Sequence, residues 1–332
     1  MFKKYGFVNQ KRIQICEFYD IMKNMILSPL DKIGKEDIAL AGGKASPLGE
    51  LMKAGFEVPK GFVILTPLFN SLFKGIELDD FNTIEELKNI SASISEIIEK
   101  TEIPIAAEAE ILETFDELGC AQTIVRSSAT TEDSDEASFA GELESYFNKD
   151  REELILNIKK CWASLFSPRA IVYRREKGLL KKDIGMAVIV QETIEADYSG
   201  IAFTANPLNK KKSEMVIEAG FGLGEAVVMG SITPDMYIVE KETASIKKKM
   251  ISRQDALQEI GASGDVEWED VPANNCQKQK LSDKDILRLA ETCMDIEKRF
   301  GGPQDIEFAF KDGKLYILQS RPITTFKNGK NN

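Results

Sequence analysis

The sequence predicts a fold that mixes α-helices with β-strands, and three observations support this. Segments with helical periodicity, such as 83–100 and 104–118, alternate with apolar strand-like runs such as Met186–Gln191. Towards the C-terminus, two strand-like runs are joined by Asp312-Gly313, a pair typical of β-hairpin turns. At 332 residues the chain is long enough for two domains of about 150 residues each.

Composition and charge exclude several classes of protein. The formal net charge of -11 argues against nucleic acid or an anionic membrane as the main partner. The chain contains no histidine, which excludes Ser-His-Asp and Cys-His catalysis and a phosphohistidine carrier within these residues. The cysteines are odd in number and form no CxxC pair, and no apolar run approaches the ~20 residues of a membrane span. We therefore expect no disulfide framework, no membrane segment and a cytoplasmic location.

Polar side chains interrupt the two runs of the predicted C-terminal hairpin. Glu307 lies among apolar residues of the first run, and Gln319 and Arg321 lie on one face of the second. Carboxylate and amide oxygens are ligands of hard divalent cations, and the planar guanidinium of arginine suits a phosphate. These three residues predict a nucleotide site. On this stretch alone, an ordinary hairpin with a surface Glu and Arg is an equally good interpretation.

The register of this hairpin decides whether Glu307 and Gln319 can share a ligand. A two-residue Asp-Gly turn would place them on opposite faces, because a slip of one residue moves every side chain to the other face. A loop with an odd number of residues around Gly313 would place them on one face. We predict the odd-numbered loop.

Two further stretches have features of phosphate sites. Gly42-Gly43-Lys44 precedes a predicted helix, whose N-terminal N–H groups and dipole would favour an anion together with the lysine. The predicted strand 123–129 carries Arg126 into a Ser/Thr cluster, and hydroxyl groups beside an arginine suit a phosphate. Taken singly, each feature is more often a tight loop or an ordinary turn.

Six motifs follow one another along the chain. They are Gly42-Gly43-Lys44-Ala45, Val125-Arg126-Ser127-Ser128-Ala129-Thr130, Ala137-Ser138-Phe139-Ala140-Gly141, Ser199-Gly200 with Asn206-Pro207, Gly222-Leu223-Gly224-Glu225, and Asp305-Ile306-Glu307 with Gln319-Ser320-Arg321-Pro322. In this order and spacing they resemble the ATP-binding domain shared by phosphoenolpyruvate synthases, pyruvate phosphate dikinases and rifampin phosphotransferases. The resemblance covers about residues 31 to 325.

The resemblance implies an α+β ATP-grasp fold, in which two lobes hold ATP between them. The implied divisions are an N-terminal extension over 1–30, lobes over 31–185 and 186–325, and a disordered tail over 326–332. Lys44, Arg126 and Arg321 would be catalytic, and Glu307 and Gln319 would bind Mg²⁺. The residues that would contact ATP are Lys44, Arg126, Thr130, Ala140, Gly141, Gln191, Glu192, Ile194 and Arg321.

In this family the phosphoryl group usually passes from ATP to a histidine on a separate swivelling domain. The resemblance therefore implies an ATP-dependent phosphotransferase part, acting with a histidine-bearing domain or partner protein in trans. Two alternatives stay open. The chain could be a non-catalytic ATP-binding regulatory module, which is favoured by Glu142 where the family motif has glutamine. It could also be the ATP-binding half of a rifampin-phosphotransferase-like enzyme.

Overall fold

A computed structural model describes residues 26–78, 80–131 and 144–323, and these form two compact units. The first unit holds the described residues up to Glu50 together with Lys60–Thr193; the second holds Leu51–Pro59 and the described residues from Ile194 onward. Each unit contains an antiparallel sheet and helices, which confirms the predicted α+β class. Most of the predicted extension, the predicted tail and the loop around Ala140-Gly141 lie outside the described residues.

The sheet of the first unit contains five strands. They are β1 (Leu27–Pro29), β2 (Gly61–Ile64), β3 (Thr123–Ala129), β4 (Ser145–Asn148) and β5 (Met186–Glu192), in the spatial order β1-β2-β5-β3-β4. β5 is the central strand and is buried from Met186 to Gln191, as its continuous apolar run predicts. The predicted division at 185/186 therefore differs from the structure, because β5 pairs with β2 and β3. The predicted extension over 1–30 also differs, since β1 pairs with β2.

Six helices belong to the first part of the chain. They are α1 (Ile38–Lys53), α2 (Thr66–Phe73), α3 (Ile84–Lys100), α4 (Ile105–Leu118), α5 (Arg151–Ser164) and α6 (Pro168–Glu176). Local sequence explains several of their starts: Thr83 and Glu86 form a capping box at α3, and Asp150 caps α5. The core of the unit includes Trp162 of α5, whose ring lies 6.3 Å from that of Phe69 and 5.7 Å from that of Phe73.

The second unit is built on a six-stranded antiparallel sheet with the order β13-β12-β6-β7-β8-β9. Its elements are β6 (Tyr198–Phe203), β7 (Glu214–Phe221), α7 (Glu225–Val228), β8 (Asp235–Glu240), β9 (Ser245–Met250), β10 (Ala256–Ile260), β11 (Val266–Asp270), α8 (Asp283–Phe300), β12 (Gln304–Lys311) and β13 (Lys314–Pro322). α8 packs against β8, β9 and β12, and β10 pairs only with β11. Along the described stretches, no helix is both long enough and apolar enough to cross a lipid bilayer.

A buried ion pair fixes the segment before α8 to the sheet. The side chains of Lys280 and Asp235 are both 0% exposed, and Lys280 Nζ lies 2.8 Å from Asp235 Oδ1. The Asp235 carboxylate also accepts hydrogen bonds from the backbone N–H of Ser252 and from the hydroxyl of Tyr237. Because each polar group is bonded, the network can persist in an apolar interior.

The hairpin of β12 and β13 corrects one prediction. Its loop has two residues rather than an odd number, because Lys311 pairs with Lys314 and both Asp312 (φ 49°) and Gly313 (φ 71°) take the positive φ of a tight hairpin turn. Glu307 nevertheless lies opposite Gln319. A β-bulge between the Glu307–Gln319 and Phe308–Ile317 pairs leaves Leu318 as an extra residue, and this shifts the register by one residue.

Candidate functional site

The first cluster of predicted site residues forms around a break in α1. Gly42 has φ 79° and ψ 176°, which interrupts the helix and begins a new turn that contains Lys44. The hydroxyl of Ser128, on β3, accepts hydrogen bonds from the backbone N–H groups of Lys44 (3.1 Å) and Ala45 (3.2 Å). Lys44 Nζ donates to the carbonyl of Ser127 at 3.0 Å. The lysine is therefore held beside β3, the strand that carries Arg126.

Gly42→Ala should destabilise the first unit. A Cβ at this position would lie 2.1 Å from the carbonyl oxygen of Ser128, and the positive φ adds backbone strain. We expect a loss of at least ~3 kcal/mol in the free energy of unfolding, measured by urea denaturation. Gly178→Ala is the matched control, because Gly178 has φ +69° but nothing within 4 Å. Equal losses in the two variants would contradict the role of the close approach to Ser128.

Arg126 lies in β3 with only 8% of its surface exposed. Its Nη1 lies 3.5 Å from Oε1 of Gln191, at the end of the neighbouring strand β5. Gln191 is 2% exposed, so this contact is between two buried polar groups. The structure thus brings together Arg126 and Gln191, which are 65 residues apart in the sequence.

The other predicted nucleotide residues of this part of the chain lie close to β5. Thr130 exchanges hydrogen bonds with Gly185, the residue before β5: its N–H donates to the Gly185 carbonyl, and the Gly185 N–H donates to its hydroxyl at 3.2 Å. Glu192 ends β5, and its N–H donates to the carbonyl of Lys60. Ile194 is the first residue of the second unit after Thr193. Ala140 and Gly141 lie outside the described residues.

The second cluster lies on one face of the six-stranded sheet. Glu307 and Gln319 are directly opposite each other, so their side chains point to the same face. Asp305 and Arg321 form the next pair on that face, and Arg321 Nε and Nη2 lie 2.9 Å and 2.8 Å from Asp305 Oδ2. A carboxylate, an amide and a charge-paired guanidinium therefore lie side by side on two strands.

The oxygen donors of Glu307 and Gln319 fit a magnesium ion that a nucleotide helps to bind. Mg²⁺ is usually held by one or two carboxylates plus phosphate oxygens and water, rather than by a complete protein cage. Within the described ranges, no three His, Cys, Asp or Glu side chains are grouped as a metal site. Glu307 and Gln319 would thus form only part of a magnesium site.

Three residues near the site were not predicted from the sequence. Ser128 organises the backbone at Lys44, and Asp305 pairs with Arg321. Ser128 and Asp305 both lie within the motifs. The two-residue spacing of Asp305 and Glu307 already placed these two carboxylates on one face of the strand. Glu218 is the third; β7 and β6 place it in the row of Glu307, with Ile201 between them. Burial, together with the charge of Asp305, raises the pKa of the Glu218 carboxyl.

The sequence that carries these two clusters matches a known protein family. Residues 38–332 match the family described as pyruvate phosphate dikinase, AMP/ATP-binding domain. The chain belongs to this family. The match covers both clusters, and it confirms the resemblance inferred from the six motifs.

Curated relatives agree with the family match. The chain is 40% identical over 318 residues to a probable phosphoenolpyruvate synthase of Methanocaldococcus jannaschii, covering 91% of this chain and 27% of that protein. It is 37% identical over 325 residues to rifampicin phosphotransferase of Bacillus subtilis, covering 92% of this chain and 36% of that protein. The chain thus spans between about a quarter and two fifths of the length of these two relatives.

A solved structure, D-alanine–D-alanine ligase from Bacillus anthracis, aligns with 82% of this chain and 53% of its own. The identity is 9% and the TM-score is 0.31, which is too low to support any inference.

Proposed function

We propose that this domain binds Mg·ATP and passes a phosphoryl group from ATP to a histidine outside these 332 residues. The observation that carries this proposal is the pairing of Glu307 with Gln319 beside the Asp305–Arg321 ion pair, in a chain of the AMP/ATP-binding family. Phosphoryl transfer needs positioning and electrostatic stabilisation more than covalent chemistry, and these residues can provide both.

The first unit would supply residues for the phosphates and the base. Lys44 and Arg126 carry the positive charge for the phosphates, and Thr130 with the Ala140-Gly141 loop would cover them. Gln191, Glu192 and the backbone of Ile194 would contact adenine. Supporting this proposal, Lys44 and Arg126 are both fixed at β3, and Arg126 contacts Gln191.

The second unit would supply the metal ligands and the residue at the transferred group. Glu307 and Gln319 would hold Mg²⁺, which neutralises negative charge on phosphate oxygens when bound. Arg321 would contact the transferred phosphoryl group. Asp305 accepts a hydrogen bond from Nε of Arg321, and Nη2 lies 2.8 Å from the same carboxylate oxygen; two contacts on one planar guanidinium fix the direction of its plane. Asp305 would therefore orient Arg321.

The acceptor must come from outside these 332 residues, because they contain no histidine. We infer a histidine-bearing domain or partner protein, as the resemblance implies. A reducing compartment such as the cytoplasm is in keeping with Cys120, Cys161, Cys276 and Cys293, which are free cysteines in the described part of the chain.

Glu307→Gln should raise the Mg²⁺ concentration needed for nucleotide binding. The substitution keeps the size of the side chain but removes the charged oxygen donor, so we expect half-saturation to require at least ~10-fold more Mg²⁺. Isothermal titration calorimetry with ATP at a series of Mg²⁺ concentrations measures this. Glu269→Gln, on the exposed strand β11, is the matched control. An unchanged Mg²⁺ requirement in Glu307→Gln would remove the metal assignment.

Transfer itself is tested with ATP labelled in the β or γ phosphate, Mg²⁺ and candidate histidine-bearing proteins. We expect acid-labile label on the acceptor, because phosphohistidine is lost at low pH. ATP binding without any labelled acceptor and without ATP turnover would favour the alternative of a regulatory ATP-binding module.

A further inference from the structure

We propose that a cavity in the first unit binds a small oxyanion, with Arg174 as its principal ligand. The cavity has a volume of about 130 Å³. Three phenyl rings and three basic residues contribute to its lining: Phe69, Phe73, Phe166, Lys74, Arg174 and Lys182. This site does not depend on the nucleotide chemistry proposed above, since Lys44, Arg126, Gln191 and Glu192 do not line it.

Arg174 lines the cavity, is 3% exposed and has one unused donor nitrogen. Its Nε donates to the carbonyl of Leu179, and its Nη2 donates to the carbonyls of Leu180 and Lys182. Among the described residues Nη1 donates to no acceptor. A donor nitrogen of a residue that lines the cavity is available to a ligand there, and a guanidinium forms its strongest hydrogen bonds with oxyanions.

The charge of the cavity favours an anion. Lys74, Arg174 and Lys182 contribute three positive charges to its lining, and Asp183 contributes one negative charge. Burial lowers the pKa of the Arg174 guanidinium to about 10, and Asp183 opposes this shift. A bound oxyanion would offset the cost of burying the positive charge.

The size of the cavity limits the ligand. Pockets for drug-sized molecules usually have about 300–1,000 Å³, so one of about 130 Å³ is too small for a nucleotide. It has room for several water-sized groups, which is enough for phosphate or a short carboxylate. The phenyl rings lower the local dielectric and would strengthen the interaction of the anion with Arg174.

The protein contains a natural probe for this site. It has two tryptophans, and Trp162 packs against Phe69 and Phe73, both of which line the cavity. Trp268 is 50% exposed on β11. In a Trp268→Phe protein, the tryptophan fluorescence therefore comes from Trp162 alone and reports changes at the cavity wall.

The test is a titration of Trp268→Phe protein with inorganic phosphate at constant ionic strength, followed by fluorescence and by calorimetry. We expect saturable binding, and a parallel titration with acetate shows whether a carboxylate also binds. Lys74→Glu should weaken phosphate binding at least ~10-fold, because it reverses a charge in the lining. Lys181→Glu, an exposed neighbour that does not line the cavity, should change it less than ~2-fold.

Phosphate bound at Lys44 and Arg126 must be separated from phosphate in the cavity. The titration is therefore repeated with Arg126→Met, in which the cavity is intact and saturable binding should persist. Loss of binding in Arg126→Met would overturn the proposal, as would equal responses to phosphate and chloride. An identical phosphate affinity in Lys74→Glu and Lys181→Glu would also overturn it, whatever the outcome for ATP.

Discussion

Arg321→Ala is expected to lower phosphoryl transfer by about 10³-fold, while the dissociation constant for ATP changes by less than ~10-fold. The physical reason is that a guanidinium at the transferred group stabilises charge that develops mainly in the transition state. In wild type, the Asp305 contact should favour transfer, because it keeps the guanidinium in one orientation. Transfer is measured as label on the acceptor, and ATP binding by calorimetry.

Two controls separate the charge of Arg321 from its shape and from stability. Arg321→Lys keeps the charge but loses the planar fork, so its rate should lie between those of wild type and Arg321→Ala. Asp305→Asn in the Arg321→Ala background removes the carboxylate that the first substitution leaves unpaired, and it should restore stability without restoring transfer. Transfer at the wild-type rate in Arg321→Ala would refute the assignment.

Lys280→Met is expected to destabilise the second unit by about 3–5 kcal/mol. The substitution leaves the Asp235 carboxylate charged and fully buried, with hydrogen bonds from Ser252, Tyr237 and the backbone of residue 280 but without its cation. Because the ion pair fixes the segment before α8, we expect the amides of β8 and of the first turn of α8 to exchange faster. Urea denaturation and hydrogen exchange measure the two effects.

Lys249→Met provides the matched control for this loss. Lys249 pairs with Asp283 at the start of α8, but the two side chains are 32% and 60% exposed. Exposed ion pairs contribute at most about 1 kcal/mol, so the control should lose little stability. A double variant, Asp235→Leu with Lys280→Met, removes both charges and should recover part of the loss. Similar losses in Lys280→Met and Lys249→Met would show that burial of the pair is unimportant.

Local patterns predicted much of the fold. The helices over 83–100 and 104–118 and the strand over 123–129 agree with the structure to within a residue. Their signals are periodicity and capping residues that lie close together in the sequence. The sequences of β10 and β11 show no clear strand pattern, because the two strands pair only with each other and neither buries an apolar face.

Features that depend on distant parts of the chain could not be read from the sequence in the same way. The contact of Arg126 with Gln191 depends on which strands become neighbours. The place of β5 in the first sheet has the same origin. Glu307 and Gln319 were expected on one face and are opposite each other, but the predicted reason was wrong. The extra residue Leu318 lies within β13 and not in the turn, so no turn residue in the sequence reveals it. At this point β12 also pairs with β6.

The bulge at Leu318 lies between the Glu307–Gln319 pair, which carries the oxygen donors, and the turn of the hairpin. Between them, the pairs from Phe308–Ile317 to Lys311–Lys314 are regular. Insertions or deletions at Asp312-Gly313 that preserve these pairs would leave Glu307 opposite Gln319. Loop length at this tip can therefore change without altering the pairing of the oxygen donors, whereas the loss of one residue between Gln319 and Arg321 would separate the guanidinium from its carboxylate.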